Sequence, residues 1–339
     1  MGDGSSAKLL TRFGGEQEGL AVFTVKPACV PGTCRPERRK NCVVSKASKA
    51  KAPNPRITAG LKDLFRRPRA LLAAGVLLIM VFAAVAAPLI MPYDPNAQMF
   101  EGLSLEGAPL PPSAQFWLGT DLLGRDLFSR LVLGTRTSLI IGVVANGIAV
   151  FVGAAVGITA GYFGGWIGGI LMRFTDLMMA FPALLLAIVL AAIFKPSLLI
   201  VALVIAMVNW VQMARVIYTE TRALAQREFI EVQRAMGSGP LRIIGRHILP
   251  HLVYSIIVFG TLGISTTVLL EATLSYLGVG VQPPTPSWGN IIFENQTYFA
   301  TAPWLVFLPG LAILLLALSF NLLGDALRDT LDPRLKGRH

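Results

Sequence analysis

The chain has 339 residues, 54% of them hydrophobic and only 14% charged, where an ordinary soluble protein carries roughly a quarter charged. With a mean hydropathy of +0.62, this composition excludes a water-soluble surface and indicates an all-α polytopic membrane protein whose polar residues are gathered into tails and loops. The formal charge of +11 is local, since 15 of the 30 Lys and Arg residues lie in residues 1–70; it describes an N-terminal arm and argues against a basic nucleic-acid-binding face.

Residues 1–55 read as a disordered basic arm, rich in Pro and Gly and without apolar periodicity. The three cysteines, Cys29, Cys34 and Cys42, all fall within it. Their spacing does not match the C-x-x-C pairs of common zinc sites and no His lies nearby. Plain cytosolic thiols and a metal or redox site completed by an external ligand are the two readings, and no metal ligand set is assigned.

About 20 apolar residues are needed to cross roughly 30 Å of hydrocarbon as a helix, so charge-free intervals locate the spans. Six follow in order, at about 70–91, 138–160, 173–194, 198–214, 252–270 and 304–323. Residues 272–293 also lack charge, but Gly278, Gly280, Pro283, Pro284 and Pro286 would break a lipid-facing helix, and the segment is predicted to be an external loop. The resulting organisation is an N-terminal region over 56–136 with the first span, a core of five spans over 137–326, and a tail over 327–339. An even number of spans puts both termini on one side. Lys62, Arg66, Arg67 and Arg69, the arginines of the 220–247 loop, and Arg328, Arg334, Lys336 and Arg338 assign that side to the cytoplasm.

In the loop after the first span, Asp121 with Arg125 and Asp126 with Arg130 are spaced as i,i+4 ion pairs among apolar residues. The pattern predicts short amphipathic helices over the external mouth of the bundle, acting as a gate or as an interfacial anchor. Small residues then recur at every fourth position: Ala145, Ala149, Gly153, Gly157, Gly161, Gly165 and Gly169. Such a ladder permits close helix approach, either as static packing or as a smooth face on which one bundle rocks against another. Arg173 and Asp176, three residues apart, are expected to form a local ion pair. Ionisable groups at membrane depth are few, which disfavours coupling to an ion gradient.

Residues 220–247 are the most informative segment. A helix containing Phe229, Val232 and Met236 on one side, with Glu228, Glu231 and Arg234 around them, is broken at Gly237-Ser238-Gly239-Pro240. A second short helix then leads to Leu249-Pro250, the start of the next span. Two short helices joined by a glycine turn suit docking into a groove of another protein.

The run Glu228-Phe229-Ile230-Glu231-Val232-Gln233-Arg234-Ala235-Met236-Gly237, closed by Ile248-Leu249-Pro250, resembles the cytoplasmic signature of type I ABC importer permeases. It departs in having Val232-Gln233 where that family has two alanines. Trp117 to Asp126, Gly134 to Leu139, Glu271 to Gly278, Pro286 to Gly289 and Asn321 to Asp325 narrow the resemblance to the dipeptide, oligopeptide and nickel importer group, in its second, C-type subunit. It extends over about residues 60–335.

The resemblance implies a six-span type I permease fold and a role in coupling to an ATPase for Glu228, Glu231, Arg234, Ala235, Gly237, Leu249 and Pro250. It also implies a heterodimer with a second homologous permease, two nucleotide-binding ATPase subunits that bind ATP and Mg, and an extracytoplasmic solute-binding protein. The chain contains no Gly-Lys pair and so no phosphate-binding P-loop; no catalytic residue or cofactor is assigned to it. A di- or oligopeptide is the leading substrate reading, with nickel, glutathione or another small solute as the alternative. A channel or secondary carrier would not need the docking loop.

Overall fold

The computed structural model describes residues 68–194 and 197–331. The arm with its three cysteines and the last eight residues of the tail lie outside the described residues. Nine principal helices run in order: α1 (Pro68–Val85), α2 (Leu127–Phe163), α3 (Gly165–Ala180), α4 (Ala183–Ile193), α5 (Leu198–Ala225), α6 (Glu228–Ala235), α7 (Leu249–Tyr276), α8 (Trp288–Asn295) and α9 (Trp304–Leu331).

Five helical stretches are long and apolar enough to cross a membrane: α1, α2, α5, α7 with its lead-in from Pro240, and α9. The sixth, predicted as one span over 173–194, is a helix pair, α3 and α4, bent by 88°. Pro182 is the reason. It has no N–H to donate and disfavours helical geometry in the residue before it, and Phe181 is extended at φ −87° and ψ 131°.

Several boundaries differ from expectation because local capping, rather than hydropathy, decides where a helix starts. The second span was expected over 138–160, yet α2 has 37 residues, about 55 Å at 1.5 Å per residue. Asp126 starts it eleven residues early by accepting from the Ser129 backbone N–H at 2.9 Å and from the Ser129 hydroxyl at 2.6 Å. Residues 127–136 are therefore the first turns of α2, and residues 116–126 are turns; no separate amphipathic helices lie there.

Likewise, Pro240–Ile243 leads through a π turn, Ile244–Ile248, into α7 without a break. Pro250 accounts for the wide turn, because its ring clashes with the carbonyl four residues earlier and a longer i→i+5 bond relieves that; the Leu249 N–H donates to Ile244. The 272–293 segment, predicted to be an external loop, is not wholly irregular either, since α7 runs on to Tyr276 and Ser287 caps α8 by accepting from the Asn290 N–H.

The main seam joins α2 to α5. A Cβ at Gly153 would lie 2.6 Å from the Trp210 carbonyl oxygen, one at Gly157 2.6 Å from that of Ala214, and one at Gly161 2.7 Å from Thr221 Cβ. The two backbones touch, which only glycine at these positions allows. Gly165 and Gly169 leave the ladder: both belong to α3, and a Cβ on either would meet open space. Around this seam, Ile141, Val204, Ile205 and Leu274 form one buried cluster, and Leu139, Val268, Trp288 and Leu316 tie α2, α7, α8 and α9 in a second. Leu72, Leu78, Ile79 and Phe82 of α1 point outward, as a lipid-facing side would.

Candidate functional site

Three polar features stand on this scaffold. The first is a groove of about 180 Å³ between α2, α5 and α7, lined by Asn146, Asn209, Gln212 and Thr266 with Phe259 and Leu262 as apolar walls. The Asn146 side-chain amide donates to the Gly260 carbonyl at 2.7 Å, and that of Asn209 donates to the Thr267 hydroxyl at 3.0 Å. Amides inside apolar helices are tolerated where they are hydrogen-bonded or line a cavity, and these do both. The groove can hydrogen-bond a polar solute through neutral groups, with no titratable residue in its lining. Sequence reasoning assigned none of these residues. The usable signal was there: three amides interrupting otherwise apolar runs.

The second feature is a buried charge cluster at the end of the bundle that carries α8. Asp121 and Arg125 do pair, at 2.6 Å, but within a turn: the Asp121 Oδ1 also accepts from the Leu123 and Arg125 backbone N–H groups, both at 2.9 Å. The expected Asp126–Arg130 pair does not form. Asp126 is taken up by the α2 cap, and Arg130, one turn into the helix, reaches Glu294 at 2.8 Å and Asp121 at 3.5 Å. Arg125 also meets Glu294, at 2.5 Å. Two cations and two carboxylates thus join the start of α2 to the end of α8. Next to them Asn295 accepts from the Leu122 N–H at 3.1 Å. Glu294 and Asn295 had no signal in the sequence, because their partners lie more than 160 residues away.

A related mispairing occurs at α3. Asp176 bonds Arg215 of α5, not Arg173, because the α2–α3 hairpin folds α3 back onto α5.

The third feature is the elbow formed by α6 and the turn after it. Gly237, at φ +77°, ends α6, and its N–H donates to Arg234 at 3.0 Å while that of Ser238 reaches Gln233 at 3.1 Å. This is the paired bonding of a Schellman cap, which requires the left-handed conformation that glycine adopts without strain. Ile230 anchors α6, fully buried with Ile217, Ile243, Ile248 and Leu252. On the other side Phe229, Val232, Met236 and Leu241 are exposed, Leu241 to 83%. Glu228, Glu231, Arg234, Ala235, Leu249 and Pro250 also reach solvent. The elbow is an apolar face with a charged rim, held to the bundle by the buried Ile230 plug, with Phe229 stacked on His251 and Arg234 over Tyr162. Among the described residues, no group of three or more His, Cys, Asp or Glu could hold a metal ion.

Residues 153–337 match a family model described as binding-protein-dependent transport system inner membrane component. The glutathione transport system permease protein GsiD of Escherichia coli O6:K15:H31 (strain 536 / UPEC) is 43% identical over 278 residues, which is 80% of this chain and 89% of that protein. The chain belongs to this family of ABC importer permeases. Within it, the chain falls in the peptide, nickel and glutathione group. Residues 59–112 match the N-terminal TM domain of oligopeptide transport permease C. GsiD of Shigella dysenteriae serotype 1 (strain Sd197) is 42% identical over the same share of each chain. Among solved structures, the MetNI methionine ABC transporter in an inward-facing conformation is similar with a TM-score of 0.48 and 18% identity, over 60% of this chain and 97% of that one. The permease is a transport subunit for a small solute.

Proposed function

We propose that this permease forms one half of the translocation pathway of an ATP-driven importer for glutathione or a peptide of similar size. The observation that carries the substrate reading is the 43% identity to GsiD across four-fifths of the chain. It favours glutathione over the di- or oligopeptides to which the sequence motifs first pointed. Peptide import remains the second reading, supported by the match of residues 59–112 to oligopeptide transport permease C. The groove suits either, since its amides can meet the amide and carboxylate groups of a short peptide without a fixed charge that would retain it.

In this reading the α6 elbow faces the cytoplasm and docks a nucleotide-binding subunit. Phe229, Val232, Met236 and Leu241 enter its groove, and Glu228, Glu231 and Arg234 set the register. ATP and Mg belong to that partner. A second permease completes the pathway, and the Asp121–Arg125–Arg130–Glu294 cluster stiffens the external end, where a solute-binding protein delivers its cargo. The multi-pass chain resides in the bacterial inner membrane with both termini in the cytoplasm.

Co-expression with its ATPase, second permease and binding protein, followed by reconstitution into vesicles, tests the proposal. ATP-dependent accumulation of labelled glutathione is expected, reduced by Asn209→Leu with assembly unchanged. A complex that hydrolyses ATP in response to dipeptide but not to glutathione would refute the substrate assignment, and failure of any nucleotide-binding subunit to co-purify would refute the docking role.

A further inference from the structure

A cavity beside the elbow is separate from the polar groove. It has a volume of about 450 Å³ and is framed by the α2–α3 turn at Gly164 and Gly165, by Tyr218 and Arg222 near the end of α5, and by Arg234 of α6. Its lining holds two guanidinium groups and no carboxylate. Among the described residues neither arginine has an acidic partner. Arg222 Nη1 donates to the Tyr218 hydroxyl at 2.9 Å, and the Arg234 guanidinium lies 4.9 Å from the centre of the Tyr162 ring. Each tyrosine orients a cation without neutralising it.

Two further observations make the cleft receptive to an anion. The 16-residue helix α3 begins at Gly165 on its wall, and no side chain caps that end. The unpaired first-turn amides and the positive end of the helix dipole add to the arginine charges. The wall is also glycine: a Cβ at Gly164, Gly165 or Gly169 would meet nothing within 4 Å, so space for a ligand is left beside the backbone.

We propose that this cleft binds a net anionic phosphate group, carried by a lipid headgroup such as phosphatidylglycerol or free in solution. Arginine forks match phosphate oxygens in bidentate geometry, and basic pockets between membrane helices suit anionic headgroups. The surroundings favour the lipid source. Phe163, Trp166 and Ile170 beside the cleft are exposed, Trp166 to 76%, and aromatic residues at a helix end are at home at the level of headgroups. Because the site takes one cation from α5 and one from α6, an occupant links the α6 elbow to the spanning helices. The lipid in that position steadies the docking helix.

The test uses the purified full-length permease in detergent, with native mass spectrometry to count bound dioctanoyl phosphatidylglycerol, dioctanoyl phosphatidylcholine or inorganic phosphate. One phosphatidylglycerol per chain is expected to be retained in preference to phosphatidylcholine. Arg222→Gln and Arg234→Gln should each weaken it about fivefold and the pair roughly thirtyfold, while the double lysine variant keeps most of the binding. Gly169→Leu, which fills the cleft without touching either charge, should also weaken it. Inorganic phosphate bound as tightly, and lost in the same variants, would assign the site to the free anion. Equal retention of both lipids, or phosphatidylglycerol affinity unchanged in the arginine pair, would overturn the site. If the arginine pair fails to insert, unchanged affinity in Gly169→Leu overturns it equally.

Discussion

Glu294→Gln should destabilise the permease severely, and its cost follows from the charge cluster. The Arg130 side chain is 1% exposed, Arg125 6%, Asp121 0% and Glu294 14%. As built, two arginines face two carboxylates and the cluster is neutral. Removing the Glu294 charge leaves two cations with one anion in a water-poor site. Arg130 suffers most, since Glu294 accepts its one side-chain hydrogen bond while its Nε and Nη1 have no hydrogen-bond partner. Breaking a buried pair from one side costs about 3–5 kcal/mol, and the partial exposure of Glu294 places this case near 3 kcal/mol.

Unfolding followed by circular dichroism in mixed micelles of increasing sodium dodecyl sulfate measures the loss. Adding Arg125→Met to Glu294→Gln restores neutrality, so the double variant should lose less than the sum of the two singles by about 1–3 kcal/mol. A Glu294→Gln loss below about 1 kcal/mol, or strict additivity in the cycle, would refute the view that the four charges act as one buried unit.

Gly157→Val should separate α2 from α5, because its Cβ would fall 2.6 Å from the Ala214 carbonyl and 2.9 Å from Ile217 Cβ; a loss of about 3 kcal/mol or more is expected by the same unfolding assay, and a stability equal to wild type would dismiss the seam. Gly237→Val meets no neighbour, so its cost is backbone strain at positive φ, about 1–2 kcal/mol. That strain is confined to the elbow: solute-stimulated ATP hydrolysis should fall while insertion persists, as it should for Glu231→Arg, and normal transport by both would remove the coupling role. Ile230→Ala empties the plug beneath α6, and amide exchange over Glu228–Ala235 should accelerate at least tenfold with the spanning helices unaffected. Reporter fusions after Arg222 should mark the cytoplasm and those after Glu106 and Glu294 the outside; a cytoplasmic signal at Glu294 would overturn the topology.

Features set by short stretches of chain were legible in the sequence. Apolar length shows how many helical stretches can cross a membrane, because transfer free energy adds residue by residue along a helix. The glycine turn at Gly237 and the exposed side of Phe229, Val232 and Met236 follow from local backbone and periodicity rules. The 88° break was marked by Pro182, a residue whose effect on its predecessor is local, although span length alone hid it. Which charge meets which was legible only in part: Asp121 pairs with Arg125 as their spacing suggested, and the other pairs differ. Spacing suggested Asp126 with Arg130 and Arg173 with Asp176, but a cap took Asp126, and helix packing gave Arg130 to Glu294 and Asp176 to Arg215. The groove amides, the Ile230 plug and the arginine pair of the α2–α3 cleft likewise come together only once α2, α5, α6 and α7 are set side by side. Helix propensity and hydropathy are sums over neighbours in sequence. The Arg130–Glu294 and Asp176–Arg215 pairs and the two cavities depend on distances between residues tens to more than a hundred positions apart, and only the packed bundle sets those distances.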